Sequence, residues 1–198
     1  MNFDRNITLE GRHVRLEPLD LDRHWHGLLA IGLEPRLWQF TAAKVRAEAG
    51  LRAYFATALA DRDRGTTVPF ATIDRASGRV AGSTRFGNIV PEHKRAEIGW
   101  TWLGADFRRT ALNTEAKLLM FRHAFETWRL MRVELKTSLT NEASKAAMRR
   151  LGLVEEGMFR KWMFNEDGTI RDTVWFSVID DEWPAMEARL EQMLAGRA

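Results

Sequence analysis

Residues 97–103 read Glu97-Ile98-Gly99-Trp100-Thr101-Trp102-Leu103. A basic loop, Arg108-Arg109-Thr110-Ala111-Leu112-Asn113, follows, then a helical stretch from Thr114 to Trp128, then Val133-Glu134-Leu135-Lys136-Thr137. Strand, loop, helix and strand in that order predict a crossover between parallel strands. The helix begins just after two arginines, so free backbone N–H groups, a helix dipole and positive charge converge on one point. That combination suits a phosphorylated ligand. The loop has neither the Gly-x-x-x-x-Gly-Lys-Ser/Thr pattern nor the Gly-x-Gly-x-x-Gly dinucleotide turn. Taken alone, it reads equally as an ordinary connection with solvated arginines.

Outward from this unit the elements alternate. Ile7 to Leu19 reads as a strand with a turn at Glu10-Gly11. Asp20 to Ile31 and Ala47 to Ala60 read as helices, the second with an apolar face of Leu51, Tyr54, Phe55 and Leu59. Val68 to Ile73 and Val80 to Phe86 are strands joined by a turn at Ala76-Ser77-Gly78. Asn141 to Leu151 is a short helix with Asn141 as its N-cap and Gly152 closing it. Val154 to Phe164 and Ile170 to Ile179 form a hairpin through Asn165-Glu166-Asp167-Gly168. Asp181 to Leu194 is a last helix, with Pro184 at a tolerated position near its start. The sum is an α+β fold: a mixed sheet, covered by helices, with one βαβ crossover.

Composition narrows the function. A chain of 198 residues, 45% of them hydrophobic, predicts one domain over 1–198 with a sizeable core. The absence of Cys excludes disulfides, thiolate metal sites and a thiol nucleophile, and no metal site is expected. Met1-Asn2-Phe3-Asp4-Arg5-Asn6 offers no apolar leader and no run reaches membrane length, which predicts a cytoplasmic protein without a membrane partner. A net charge of +3, without a broad basic face interleaved with aromatics, does not predict nucleic-acid binding.

Four segments, in order, resemble the GNAT acyltransferase superfamily and, within it, the RimJ/RimL-type N-acetyltransferases. They are Glu97-Ile98-Gly99-Trp100; Arg108 to Ala116, in the position of an acetyl-CoA loop; Asn141-Glu142-Ala143-Ser144 with Leu151-Gly152-Leu153 and Glu156-Gly157; and Gly168 to Thr173 with Trp183-Pro184. The resemblance implies a GNAT fold with a splayed βαβ acetyl-CoA site. It also implies acetyl transfer to a primary amine by direct attack in a ternary complex. Arg108, Arg109, Thr110, Ala111, Leu112, Asn113 and Thr114 would hold the diphosphate end of acetyl-CoA, and Asn141 its pantetheine arm. Ala111 and Asn113 depart from the small-residue pattern usual there, although Asn113 tolerates unusual backbone angles and is a possible cap for the helix.

Three chemical tasks remain. Glu97 is the leading base, with His93 second. Ser144 is the donor to the departing thiolate, since the only Tyr is Tyr54. The oxyanion donors are expected among the main-chain N–H groups near Trp102 and Leu103, where the family carries a bulge. Simple alternation puts Glu97, Gly99, Thr101 and Leu103 on one face of the strand, with Ile98, Trp100 and Trp102 on the other. Trp38, Trp100, Trp162 and Trp175 would line the acceptor cleft. The acceptor is a protein N-terminus, an amino-acid-like molecule, a polyamine or an aminoglycoside. A hairpin surface at 158–175 could make a homodimer. The alternative is a CoA-binding protein on the same scaffold with weakened or lost catalysis.

Overall fold

The crossover predicted from residues 97–137 forms the middle of the molecule. The computed structural model describes residue 4 and residues 6–196. Its strands are β1 (Leu9–Glu10), β2 (Val14–Pro18), β3 (Val68–Asp74), β4 (Val80–Val90), β5 (Arg95–Leu103), β6 (Arg132–Ser138), β7 (Val154–Phe164) and β8 (Ile170–Ile179). They form one sheet in the order β1-β2-β3-β4-β5-β6-β8-β7. Every neighbouring pair is antiparallel except β5 and β6. The α+β mixed sheet is therefore as expected, and the parallel pair lies where a helix-bearing crossover requires it.

The helices are α1 (Leu21–Gly32), α2 (Glu48–Asp63), α3 (Leu112–Arg122), α4 (Glu142–Leu151) and α5 (Trp183–Ala195). Local chemistry sets several ends. Asp20 accepts from the N–H groups of Asp22 and Arg23 at the start of α1, and Gly152 closes α4 at a φ of 105°, which a side chain would resist. The crossover helix begins at Leu112, two residues earlier than expected, and runs into a π turn at His123–Thr127. Asn113 is thus inside the first turn and does not cap it. The N-cap position is Ala111, which offers no side-chain cap; one residue earlier, Thr110 Oγ1 accepts from Leu112 N at 3.3 Å.

Two apolar clusters sandwich the sheet. One includes Phe70, Phe86, Ile98, Met120, Phe121, Val133 and Phe176 and is closed by α3 and α5. The other includes Trp25, Leu28, Trp38, Leu51, Phe55 and Trp102 and is closed by α1 and α2. Glu115 of α3 ties the first strands to this frame. Its carboxylate accepts from the N–H groups of Arg12, His13 and Val14 at 2.8, 2.6 and 2.7 Å. A Cβ on Gly11 would collide with the Glu115 carboxylate, so only glycine lets that turn close around it.

Candidate active site

β5 and β6 pair over only three residues, Arg95 to Glu97 against Arg132 to Glu134. Beyond that point the strands part. Ile98–Leu103 of β5 remains bonded to β4 on one side and has no strand on the other. The result is an open slot in the middle of an otherwise continuous sheet, edged by main-chain groups. An extended ligand carrying amides can pair with such an edge as an added strand would.

Because the two strands are parallel, the helices that follow them start at the same end of the slot. Among the described residues, the N–H groups of Asn113 and Thr114, in the first turn of α3, meet no acceptor. Free N–H groups and a helix dipole at one point give this turn the chemistry to receive an anion. Arg109 adopts a left-handed φ of 61° just before it. Arg108 is otherwise engaged: its Nε donates to Leu103 O at 2.9 Å and its Nη2 pairs with Glu34 at 2.8 Å. It braces the loop against the turn that follows α1. Arg150 of α4 reaches the same helix start, its Nη2 3.3 Å from Thr114 Oγ1. At the start of α4, Asn141 Oδ1 accepts from Ser144 N at 3.1 Å. The half-buried Ser144 hydroxyl makes no hydrogen bond with a described residue.

A bulge changes the face assignment along β5. Ser83 pairs with Trp102 and Arg85 with Gly99, so Trp100 and Thr101 together oppose the single Thr84. Trp100 takes a left-handed φ of 51°. The extra residue reverses the alternation. Glu97, Gly99, Trp100 and Trp102 share the face toward α1 and α2, whereas Thr101 turns toward α3 and meets Lys117 Nζ at 2.8 Å. The expected grouping of Thr101 with Glu97, and of Trp100 with Ile98, is therefore wrong. Lys117 is fully buried without a carboxylate partner among the described residues, and burial pushes its ammonium down to about 7.

Glu97 lies 3% exposed at the closed end of the slot. Its Oε2 accepts from Lys136 Nζ and from Asn88 Nδ2, each at 2.7 Å. Its Oε1 lies over Gly99, where a Cβ would come within 2.9 Å, and takes no hydrogen bond from a described residue. Lys136 Nζ also sits 4.8 Å from the ring centroid of Trp175. His93 is exposed in the turn before β5.

The four tryptophans separate. Trp38 is buried and its Nε1 donates to Gly32 O at 2.7 Å, which makes it part of the wall's core. Trp100 stacks on Arg85, with the guanidinium carbon 4.9 Å from the ring. Trp162 and Trp175 pack edge to face at 5.7 Å on the hairpin. The 38–44 segment is fastened to the hairpin tip, through Glu166 N to Ala42 O at 2.9 Å and Lys44 N to Glu166 Oε2 at 2.8 Å. A separate open groove of ≈ 690 Å³ is lined by Pro18 to Arg23 with Asn6, Thr8, Leu59 and Arg62, none of them at the slot.

Residues 13–154 match the family model described as Acetyltransferase (GNAT) domain. The chain belongs to the GNAT acetyltransferases. The family's acyl donor is acetyl-CoA, and the unpaired strand edge and open helix start have the chemistry to receive its amides and phosphates. A solved structure from T. thermophilus, provisionally described as an acetyltransferase, is 39% identical, covers 94% of this chain and 96% of that one, and superposes with a TM-score of 0.86. YdaF of Bacillus subtilis (strain 168), provisionally named a ribosomal N-acetyltransferase, is 31% identical over 54% of this chain. The match spans 57% of that relative's length. Mycobacterium smegmatis RimJ, solved in complex with CoA-disulfide, shares the fold at 22% identity and a TM-score of 0.76, over 97% of this chain and 96% of that one. No helix among the described residues is long and apolar enough to cross a membrane.

Proposed function

We propose that the protein, as one domain over 1–198, transfers acetyl from acetyl-CoA to a primary amine by direct attack. The observation that carries this reading is the slot between β5 and β6, with two helix starts at its mouth and Glu97 at its closed end. Backbone groups of β5 beyond Glu97 hold the pantetheine arm, and the α3 start with Arg109 and Arg150 holds the phosphates. The amine nitrogen forms a bond to the thioester carbon, and the carbon–sulfur bond breaks. The unbonded Oε1 of Glu97 takes the amine proton, directly or through one water. N–H groups of Trp102 and Leu103 donate to the developing oxyanion. The Ser144 hydroxyl donates to the departing thiolate, and Asn141 fixes that helix turn.

An α-amino group, with a pKa near 8, is the acceptor this arrangement serves best, since a lysine amine near 10.4 demands a stronger base. The exposed hairpin side chains Phe159, Trp162, Phe164 and Ile170 serve as a homodimer surface. The compartment is the cytoplasm, where the donor is available.

Thiol release from acetyl-CoA with a panel of amines tests the assignment. Release is expected, and Ser144→Ala should lower kcat about tenfold to a hundredfold with donor affinity held. CoA binding without release for any amine would instead indicate a binding protein on this scaffold.

A further inference from the structure

The face of the sheet that carries Glu97 also carries more cationic and donor groups than the protein satisfies. Arg85 of β4 is 3% exposed, and its Nε and Nη2 are buried without a partner. No hydrogen bond or ion pair to any described residue offsets its charge. It is held flat between two rings, its Cζ 4.9 Å from Tyr54 and 4.9 Å from Trp100. Rings of this kind orient a guanidinium but leave its N–H groups seeking acceptors. Trp100, 37% exposed, forms the open side of the stack, past which a ligand reaches Arg85.

The same need recurs across the cleft. On β8, Arg171 Nε, Thr173 Oγ1 and Trp175 Nε1 are buried without partners. Arg171 Nη1 reaches Phe40 O at 3.2 Å in the segment that walls the cleft. Burial pulls its guanidinium down, offset in part by the charge of Glu97. Arg85, Lys136 and Arg171 thus share this face with Glu97, which Lys136 already engages, while the other buried carboxylates of the face are also taken, Glu134 by Arg95 and Arg132 and Glu17 by Arg15, Arg23 and His24. A buried guanidinium left unpaired is costly, and a protein keeps one where a ligand supplies the missing charge.

We propose that the acceptor amine carries its own carboxylate, bound by Arg85 with Arg171 as the second cation, so that the substrate is an amino-acid-like molecule. This rests on the transferase reading and chooses among its acceptors. Polyamines and aminoglycosides, which are cationic throughout, are repelled by the same three cations.

The experiment compares the common L-amino acids with their carboxamides, with spermidine, and with Ser- and Ala-initiated peptide amides, following thiol release from acetyl-CoA. The carboxylate form should exceed its carboxamide roughly tenfold to a hundredfold in kcat/KM, as a charge-assisted contact predicts. Arg85→Gln should collapse that preference through KM while the KM for acetyl-CoA stays put. Equal rates for carboxylate and carboxamide, or a preference for spermidine, overturns the proposal. A matching loss for both forms in Arg85→Gln also overturns it. Tryptophan fluorescence, titrated with the amino acids without donor, provides a readout free of turnover. Saturable quenching by the carboxylate alone, lost in Arg85→Gln, supports the site even if no acceptor releases thiol, in which case it is the transferase reading that fails. No quenching together with no release overturns both.

Discussion

Lys117→Met should make this protein more stable at neutral pH, and by an amount that depends on pH in one direction. The lysine is fully buried on α3, with hydroxyls as its polar company: Thr101 Oγ1 at 2.8 Å and Thr84 Oγ1 at 3.5 Å. Burial pushes its pKa from 10.5 to about 7. The native state therefore holds its proton less tightly than the unfolded chain does. Above about pH 10.5 both states are neutral and the lysine costs nothing. As pH falls toward 7 the unfolded chain gains a proton that the fold refuses, and stability drops by up to about 1.4 kcal/mol per pH unit. Near pH 7 the accumulated cost is roughly 4 kcal/mol, and below it the cost is flat. Methionine fills similar space but gives up the bond to Thr101, worth about 1 kcal/mol. The net gain at pH 7 is then about 3 kcal/mol. Urea unfolding of both proteins at several values from about pH 6 to 9 checks this. The advantage of the methionine variant should shrink by roughly 2 to 3 kcal/mol between pH 7 and 9. A gap that does not move with pH, or a variant less stable throughout, refutes the reasoning.

Three further outcomes are expected. Glu115→Ala leaves three backbone donors without their acceptor and should cost about 2 to 4 kcal/mol in urea unfolding. Lys136→Met strands the buried Glu97 carboxylate and should cost about 3 kcal/mol and most of the activity; adding Glu97→Gln should recover stability but not turnover. Arg108→Ala releases the loop from Leu103 and Glu34, and calorimetry should show acetyl-CoA bound about tenfold more weakly, with melting temperature little changed.

Much of the fold was readable because its signals are local. The cap at Asn141, the stop at Gly152 and the alternation of β8 each depend on neighbours within a turn or a strand. The crossover followed from the order of elements. What escaped depends on a single backbone torsion or on distant partners. The resemblance implied a bulge near Trp102 and Leu103, but it falls at Trp100 and Thr101; since Trp100 is not a glycine, no residue type advertised the left-handed φ, and Trp100 and the side chains after it were placed on the wrong face. Arg108 read as a phosphate ligand because Glu34, its partner, lies 74 positions away. Arg85 stood in an ordinary strand; only the rings packed on it from α2 and from the bulge reveal a charge without a counterion. Lys117 and Glu115 are buried charges in the crossover helix, and nothing in the pattern or spacing of that stretch sets them apart from solvated ones.

The three-residue seam between β5 and β6 has a mechanical consequence. The sheet is two panels, five strands on one side and three on the other, stitched at one corner and braced behind by α3 against α5 through Phe121, Phe125 and Trp183. Whatever lies in the gap between the panels also finishes the stitching. Donor occupancy should then tighten the whole molecule, slowing amide exchange in β6 and β8 as well as in the strand it touches, and the product's departure should slacken both panels together.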